Sequence, residues 1–226
     1  MPRPPELSAR AVALKPSLTL AIGAQAKALQ RAGRDICSLS AGEPDFDTPD
    51  FIVEATRQAL RDGITRYGPA AGDPELREAV AEKLSSSNGI ATSPEQVLIT
   101  NGGKQAIYNL FQVLLNPGDE VLLPAPYWLS YPEMAALAGA KVKLILTQAE
   151  EGFRLDLAAV EGAISPRSRL LVLNSPGNPT GRVMKRQELE DVAELVRRHP
   201  QLLVMSDEIY EFLLAQGEQH HSFAAI

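Results

Sequence analysis

Apolar and polar positions alternate in regular blocks along the chain from residue 96 onward. Short, nearly continuous Leu/Val runs predict strands at 97–100, 120–123, 141–146, 170–174 and 202–205. Amphipathic spacing between these runs predicts helices at 103–115, 132–138, 155–164 and 187–198. Because buried strands that alternate with helices form parallel sheets covered on both faces, the pattern predicts an α/β fold with a mainly parallel sheet.

The N-terminal part predicts an amphipathic helix. Its apolar residues recur at helical spacing, at Leu18, Ile22, Ala26 and Leu29. Gly33 is placed to end this helix, and Gln25 and Lys27 interrupt the apolar stretch in a way that argues against a signal peptide. The polar residues 85–88 predict a loop.

Composition narrows the functional classes. The 226 residues carry a formal net charge of −6 with scattered basic residues, which argues against a nucleic-acid partner. No apolar run reaches the roughly 20 residues that cross a bilayer, so no membrane partner is expected. Cys37 is the single cysteine, which fits a small buried side chain in a reducing compartment, and a cytoplasmic location is predicted. The adjacent His220 and His221 lack a third ligand at metal spacing, so we expect a solvated loop there and no metal site.

Ligands of parallel α/β sheets bind beyond the carboxyl ends of the strands, so the residues at those ends are the candidates for ligand contacts. The strand predicted at 97–100 runs into a glycine pair, Gly102 and Gly103, followed by Lys104 at the start of a helix. Free N–H groups at such a helix start favour an anion such as phosphate, although ordinary turn chemistry explains the glycines about as well. The sequence contains neither of the two common glycine-rich nucleotide fingerprints.

Two further strand ends carry side chains with two interpretations each. Trp128, the only tryptophan, follows two prolines and could fill the core or stack on a flat cofactor. Asn178 lies in a loop rich in Asn, Pro and Gly, where it could serve the turn or donate its amide to a ligand oxygen.

The last predicted strand ends next to a carboxylate. Asp207 follows the apolar run and Ser206, and a carboxylate at the end of a buried strand is costly unless it meets a cation or several donors. Alternatively, Ser206 or Asp207 caps a helix that starts at Glu208. Tyr210 follows three residues later and could reach the same pocket.

Six motifs occur in a fixed order: "GEPDFDTP", "Y-x-P-x-x-G-x-x-x-LREA", "T-x-GGKQA", "PYW-x-SYPE", "NSP-x-NPTG" and "SDEIY". Together they resemble class I aminotransferases, and they are most similar to the bacterial aspartate and aspartate/prephenate type. The resemblance extends from Leu14 to Tyr210. It implies fold type I, with residues 1–45 forming an N-terminal arm and a small-domain segment, and residues 46–226 forming part of a large domain that binds pyridoxal 5′-phosphate (PLP).

The same resemblance assigns roles to individual residues. It implies a cofactor site in which Gly103 and Lys104 bind the PLP phosphate, Trp128 stacks on the ring, Asn178 and Tyr210 bind the phenolic oxygen, and Asp207 pairs with the ring nitrogen. Tyr67 would reach the phosphate of a neighbouring subunit, which implies a homodimer. Gly42, Lys104 and Asn178 would contact the substrate, with Gly42 at the α-carboxylate and Lys104 at the distal carboxylate of a dicarboxylic amino acid.

The chain departs from the family pattern in one respect. The family uses a Schiff-base lysine downstream of "SDEIY", and this sequence has no lysine after Lys185. No catalytic residue is therefore assigned, and we expect the 226 residues alone to be inactive and to leave an unpaired strand edge. The predicted reaction of the family is amino-group transfer from an amino acid to a 2-oxo acid. The alternatives are a carbon–sulfur lyase or synthase of the same fold, and a non-catalytic binding protein.

Overall fold

The computed structural model describes residues 6–14, 18–39, 42 and 46–226. Its helices are α1 (Ala9–Ala13), α2 (Leu18–Arg31), α3 (Asp50–Arg61), α4 (Pro74–Ser87), α5 (Gly103–Leu114), α6 (Ser130–Leu137), α7 (Leu157–Ala163) and α8 (Arg186–Arg197). Short 3-10 turns occupy Pro94–Gln96 and Phe223–Ala225. Residues 43–45 of the "GEPDFDTP" motif, and residues 15–17 near the start of the resemblance, lie outside the described residues.

The chain divides into two compact units. One unit comprises Ala70–Ile226 together with the described residues up to Val12, and the other comprises Ala13–Pro69. The domain boundary predicted between residues 45 and 46 falls inside the second unit and stays a prediction. In that second unit, the predicted N-terminal helix is confirmed, since α2 ends at Arg31 and Gly33 follows with a positive φ of 80°.

A four-stranded parallel sheet organises the larger unit. The strands are β1 (Glu120–Ala125), β2 (Lys141–Leu146), β3 (Ser168–Asn174) and β4 (Leu203–Asp207), in the spatial order β2-β1-β3-β4. The predicted α/β fold with a parallel sheet is therefore confirmed. Asn174 at the end of β3 lies directly opposite Asp207 at the end of β4, so their side chains belong to the same edge of the sheet.

Helices cover both faces of the sheet. Successive residues of its central strands point to opposite sides, so each face presents apolar side chains to a different set of helices. On one face Val121 and Leu123 pack with residues of α5 and α6, including Phe111. On the other face Leu122 packs with residues of α7 and α8, including Val192. These two buried layers hold the carboxyl ends of the strands in fixed positions.

The predicted strand at 97–100 is wrong. This segment is extended, yet its backbone pairs with a loop, since the Ile99 N–H donates to the Ala71 carbonyl at 2.9 Å. The Arg77 guanidinium donates to the carbonyls of Val97 and Pro94, at 3.0 and 2.6 Å. A side chain of α4 thus takes the Val97 carbonyl, an acceptor that a neighbouring strand would otherwise use.

Two other expectations are wrong. Residues 85–87 continue α4, which begins with Asp73 as N-cap and Pro74 in the first turn, and only Asn88 ends the helix. Cys37 is exposed instead of buried. Nowhere in the described part of the chain does a helix combine the length and apolar composition needed to cross a membrane.

The strand order leaves β2 and β4 at the edges of the sheet, with β4 paired only to β3 among the described residues. Both edges carry half-exposed apolar side chains, such as Leu144 and Leu203. An open edge with apolar residues is therefore observed, as the sequence predicts.

Candidate ligand site at the carboxyl ends of the strands

A cavity of about 210 Å³ lies beyond the carboxyl ends of β3 and β4. Its walls are formed by Gly103, Lys104, Ile107, Trp128, Tyr131, Asn174, Asn178, Asp207, Ile209 and Tyr210. The structure thus brings together six of the residues that the sequence singles out as cofactor ligands. Gly42 and Tyr67 belong to the Ala13–Pro69 unit, and their roles stay predictions.

One end of the cavity is the N-terminus of α5. Gly102 caps this helix with a φ of 81°, a conformation that favours glycine, and Gly103 is the first helical residue. Within the described chain, the backbone N–H groups of Gly103 and Lys104 have no acceptor. The Lys104 ammonium lies 5.0 Å from the centre of the Trp128 ring. Two free N–H groups and a cation make this end suitable for an anion.

The other end is formed by Asp207. One carboxylate oxygen accepts a hydrogen bond from the Tyr131 hydroxyl at 2.6 Å, and the other accepts from the Ile209 N–H at 3.2 Å. No helix starts at Glu208, so the helix-capping interpretation is wrong, and residues 209–212 form turns instead. Across the described residues, Asp207 forms no ion pair with Lys or Arg. This carboxylate is therefore hydrogen-bonded but has no partner of opposite charge.

Tyr131 is a site residue that the sequence interpretation missed. Its side chain is 2% exposed at the start of α6, and burial together with the Asp207 charge raises the pKa of the Tyr131 hydroxyl. The hydroxyl consequently stays protonated and donates to Asp207. The sequence contains one signal for this role. Tyr131 lies in the "PYW-x-SYPE" motif three residues after Trp128, a spacing that brings two side chains to the same side of a helical turn.

Trp128 fills part of the core and also lines the cavity, so its role against a flat cofactor stays a prediction. Its ring packs edge-on against Tyr131, with 5.3 Å between centroids and 86° between planes. It also packs against the core layer of α5 and α6 while forming part of the cavity wall. The indole is thus held in place from one side and available to a flat ligand on the other.

Two asparagine side chains, Asn174 and Asn178, line the cavity between its two ends. The Asn178 amide lies 3.3 Å from the Tyr210 hydroxyl, so both groups can donate to one ligand oxygen. Asn174, which the sequence interpretation missed, accepts from the Asn178 N–H at 2.8 Å and donates to the Asp207 carbonyl at 3.0 Å. Asn174 thereby ties the loop after β3 to the end of β4.

The arrangement fits a flat ligand with two different ends. An anionic group would meet the free backbone N–H groups of Gly103 and Lys104 at the N-terminus of α5, and a cationic ring atom would meet Asp207. The ring between them would lie against Trp128, and a ring oxygen could accept from Asn178 and Tyr210. No group of three or more possible metal ligands occurs in the described chain.

Comparisons with known proteins agree with this chemistry. The family model "Aminotransferase class I and II" matches residues 34–225. The chain is 54% identical over 212 residues to an aspartate/prephenate aminotransferase of Thermus thermophilus, covering 94% of this chain and 55% of that protein. It is 52% identical over 220 residues to a bifunctional aspartate aminotransferase and glutamate/aspartate-prephenate aminotransferase of Petunia hybrida, covering 97% of this chain and 46% of that protein.

Solved structures show the same relationship. The aspartate aminotransferase of Thermus thermophilus with maleate superposes with a TM-score of 0.94 at 51% identity, covering 98% of this chain and 57% of that chain. The chain spans about half the length of the curated relatives that it matches.

Proposed function

This chain belongs to the class I and II aminotransferase family, and we propose that it forms the cofactor-binding part of a PLP-dependent aminotransferase. The reaction is transfer of an amino group from an amino acid of the aspartate or glutamate type to a 2-oxo acid. The observation that carries the proposal is the convergence of Asp207, Trp128 and the N-terminus of α5 on one cavity.

The residues present fit PLP at both of its ends. The free N–H groups of Gly103 and Lys104 would bind the phosphate, and the Asp207 carboxylate would pair with the ring nitrogen. Asn178 and Tyr210 would donate to the phenolic oxygen. When bound, PLP supplies an electron sink that weakens bonds at the substrate Cα.

The protein contributes electrostatics and positioning. The Asp207 carboxylate favours a protonated ring nitrogen because opposite charges stabilise each other at short range. Tyr131 holds this carboxylate through a 2.6 Å hydrogen bond, and the buried apolar side chain of Ile107 forms part of the cavity wall. Trp128 orients the ring by contact with its face.

For the substrate, we propose a dicarboxylic amino acid. The relatives are named aspartate and aspartate/prephenate aminotransferases, and one was solved with maleate, which is a dicarboxylate. Lys104 would bind the distal carboxylate, while Gly42 and Asn178 would bind the α-carboxylate side of the substrate. A Lys104→Met variant tests this: we expect about tenfold weaker binding of maleate, whereas equal binding would exclude the role of Lys104.

Assembly and location are proposals of the same standing. We propose a homodimer in which Tyr67 reaches the phosphate of the neighbouring subunit, supported by the exposure of this side chain. We also propose a cytoplasmic location, consistent with one cysteine in the whole sequence.

The single tryptophan provides the binding experiment. Pyridoxamine 5′-phosphate is the probe, because it lacks the aldehyde that reacts with surface lysines. We expect saturable quenching of Trp128 fluorescence, and at least about tenfold weaker binding of pyridoxamine, which lacks the phosphate. A Trp128→Phe variant, followed by calorimetry, separates ring contact from binding as a whole. Equal affinity for the two compounds, or no saturable binding, would refute the cofactor site.

A further inference from the structure

The turn that follows β4 presents side chains to two different environments. Asp207 and Tyr210 line the ligand cavity. Glu208 and Glu211, which lie next to them in sequence, instead take part in a separate polar cluster with α4 and the segment 220–223. What holds this cluster together therefore also fixes where Asp207 and Tyr210 lie.

Glu208 accepts three hydrogen bonds, one from β4 and two from the segment 220–223. One carboxylate oxygen accepts from the Ser206 hydroxyl at 2.7 Å and from the Phe223 N–H at 3.0 Å. The other oxygen lies 3.1 Å from His220 Nε2. The Glu208 side chain is 18% exposed, so these bonds replace most of the water that an ionised carboxylate requires.

His220 is not in a solvated loop, contrary to the sequence interpretation. Its side chain is 9% exposed, and its Nδ1 is buried without a partner in the described structure. Since an ionised carboxylate only accepts, Nε2 carries the proton in the contact with Glu208. The bond to Glu208 thus offsets the cost of burying this imidazole.

Glu211 connects the same turn to α4. Its carboxylate forms an ion pair with Lys83 and accepts from the Asn88 amide at 2.8 Å. The Asn88 amide also donates to the Ser222 hydroxyl at 2.9 Å, and Ser222 is buried. The turn is therefore fixed to α4 through Glu211 and to the segment 220–223 through Glu208, which contributes two bonds.

We propose that Glu208 is a positioning residue for the cofactor site, acting through the turn to set the places of Asp207 and Tyr210. The inference rests on the proposed function, because it assigns the turn to the ring end of the ligand. The phosphate end is built separately by α5, which has no bond to Glu208. Loss of Glu208 should consequently affect ring contacts and leave phosphate contacts unchanged.

The test compares Glu208→Gln with Glu82→Gln, which removes one exposed carboxylate from α4 outside the cluster. Glutamine keeps one acceptor oxygen but cannot accept from His220 through its amide nitrogen. We expect Glu208→Gln to bind pyridoxamine phosphate about tenfold more weakly, with affinity for inorganic phosphate, measured by competition, unchanged within about twofold. His220→Asn removes the same bond from the other side, and we expect the same pattern should Glu208→Gln fail to fold.

Amide hydrogen exchange tests the inference independently of ligand binding. In ligand-free Glu208→Gln, peptides covering 206–213 should exchange faster than in the wild type, and those covering 103–114 should not. Unchanged exchange at 206–213, or equal loss of affinity for phosphate and for pyridoxamine phosphate, would overturn the positioning role. A wild-type chain that does not bind pyridoxamine phosphate would instead refute the proposed function, while the exchange result would still decide whether Glu208 fixes the turn.

Discussion

Two carboxylates lie at opposite ends of the same parallel sheet, and their surroundings differ. Glu120, at the amino end of β1, is 2% exposed and accepts from the hydroxyls of Ser165 and Ser168 at 2.5 and 3.3 Å. Lys143 and Arg167 lie 3.0 and 3.2 Å from it. Asp207, at the carboxyl end of β4, has hydrogen-bond donors but no such cation among the residues that the structure describes.

This difference indicates that Glu120 contributes to the stability of the fold, whereas Asp207 is available to bind a ligand. At Glu120 the protein itself supplies two cations, Lys143 and Arg167. The Ser165 hydroxyl and these two cations lower the pKa of the Glu120 carboxyl to about 2. At Asp207 the cavity leaves room for a cation that the described part of the chain does not provide. A carboxylate paired within the protein stabilises the fold, whereas one that faces a cavity is available to a ligand.

The largest expected effect is on folding at the amino end of the sheet. Glu120→Gln removes the charge that two cations surround, and we expect a loss of about 3 kcal/mol in the free energy of unfolding. Urea unfolding followed by circular dichroism measures it, with Glu82→Gln as the exposed control. The variant should retain its affinity for pyridoxamine phosphate, and a parallel loss of affinity would show that the two ends are not independent.

The reciprocal change is expected to affect binding more than folding. Asp207→Asn should weaken pyridoxamine phosphate binding about 100-fold, equivalent to about 2.7 kcal/mol, because the ring nitrogen loses its only opposite charge. Titration of Trp128 fluorescence measures this. An affinity within threefold of the wild type would mean that Asp207 is not the partner of a cationic ring.

The pH dependence of the free energy of unfolding should reveal the contribution of Glu120 in the absence of a ligand. Since the folded-state pKa of Glu120 is about 2 and its ordinary value is 4.5, its contribution is present above about pH 4.5 and is lost as the pH falls towards 2. Between pH 5 and pH 3 we expect the wild type to lose about 2 kcal/mol more than Glu120→Gln. Parallel pH curves for the two proteins would show that Glu120 is not the titrating group.

The smallest expected effect concerns the orientation of Asp207. Tyr131→Phe removes the 2.6 Å hydrogen bond and keeps the buried ring, so we expect about fivefold weaker binding of pyridoxamine phosphate. Tyr108→Phe on α5 is the matched control, because that side chain is partly exposed. If both variants bind like the wild type, Tyr131 serves only the core.

The sequence predicts the sheet well because its signal is local. Continuous apolar runs identify β1 to β4 within one or two residues, apart from a wrong fifth strand at 97–100. That error arises because a strand depends on a neighbour that is distant in sequence, and here Arg77 takes the Val97 carbonyl instead. Parallel topology then explains why residues that follow different strands meet at one cavity.

The hydrophobic pattern of the sequence does not predict hydrogen bonds between the side chains of different elements. The contact of Tyr131 with Asp207 spans 76 residues and depends on how α6 packs on the sheet. The burial of His220 likewise depends on a bond to Glu208, twelve residues earlier. Charge and periodicity describe single elements, whereas such contacts are fixed by packing among several.

The pairing of Asn174 with Asp207 also limits how such chains can vary in length. Neighbouring strand residues face opposite sides, so inserting or deleting one residue within β4 would direct Ser206 or Glu208 into the cavity in place of Asp207. Indels should therefore be tolerated in the exposed turn at 148–152 and excluded from 203–210, a rule that a length-scanning library of this gene can examine.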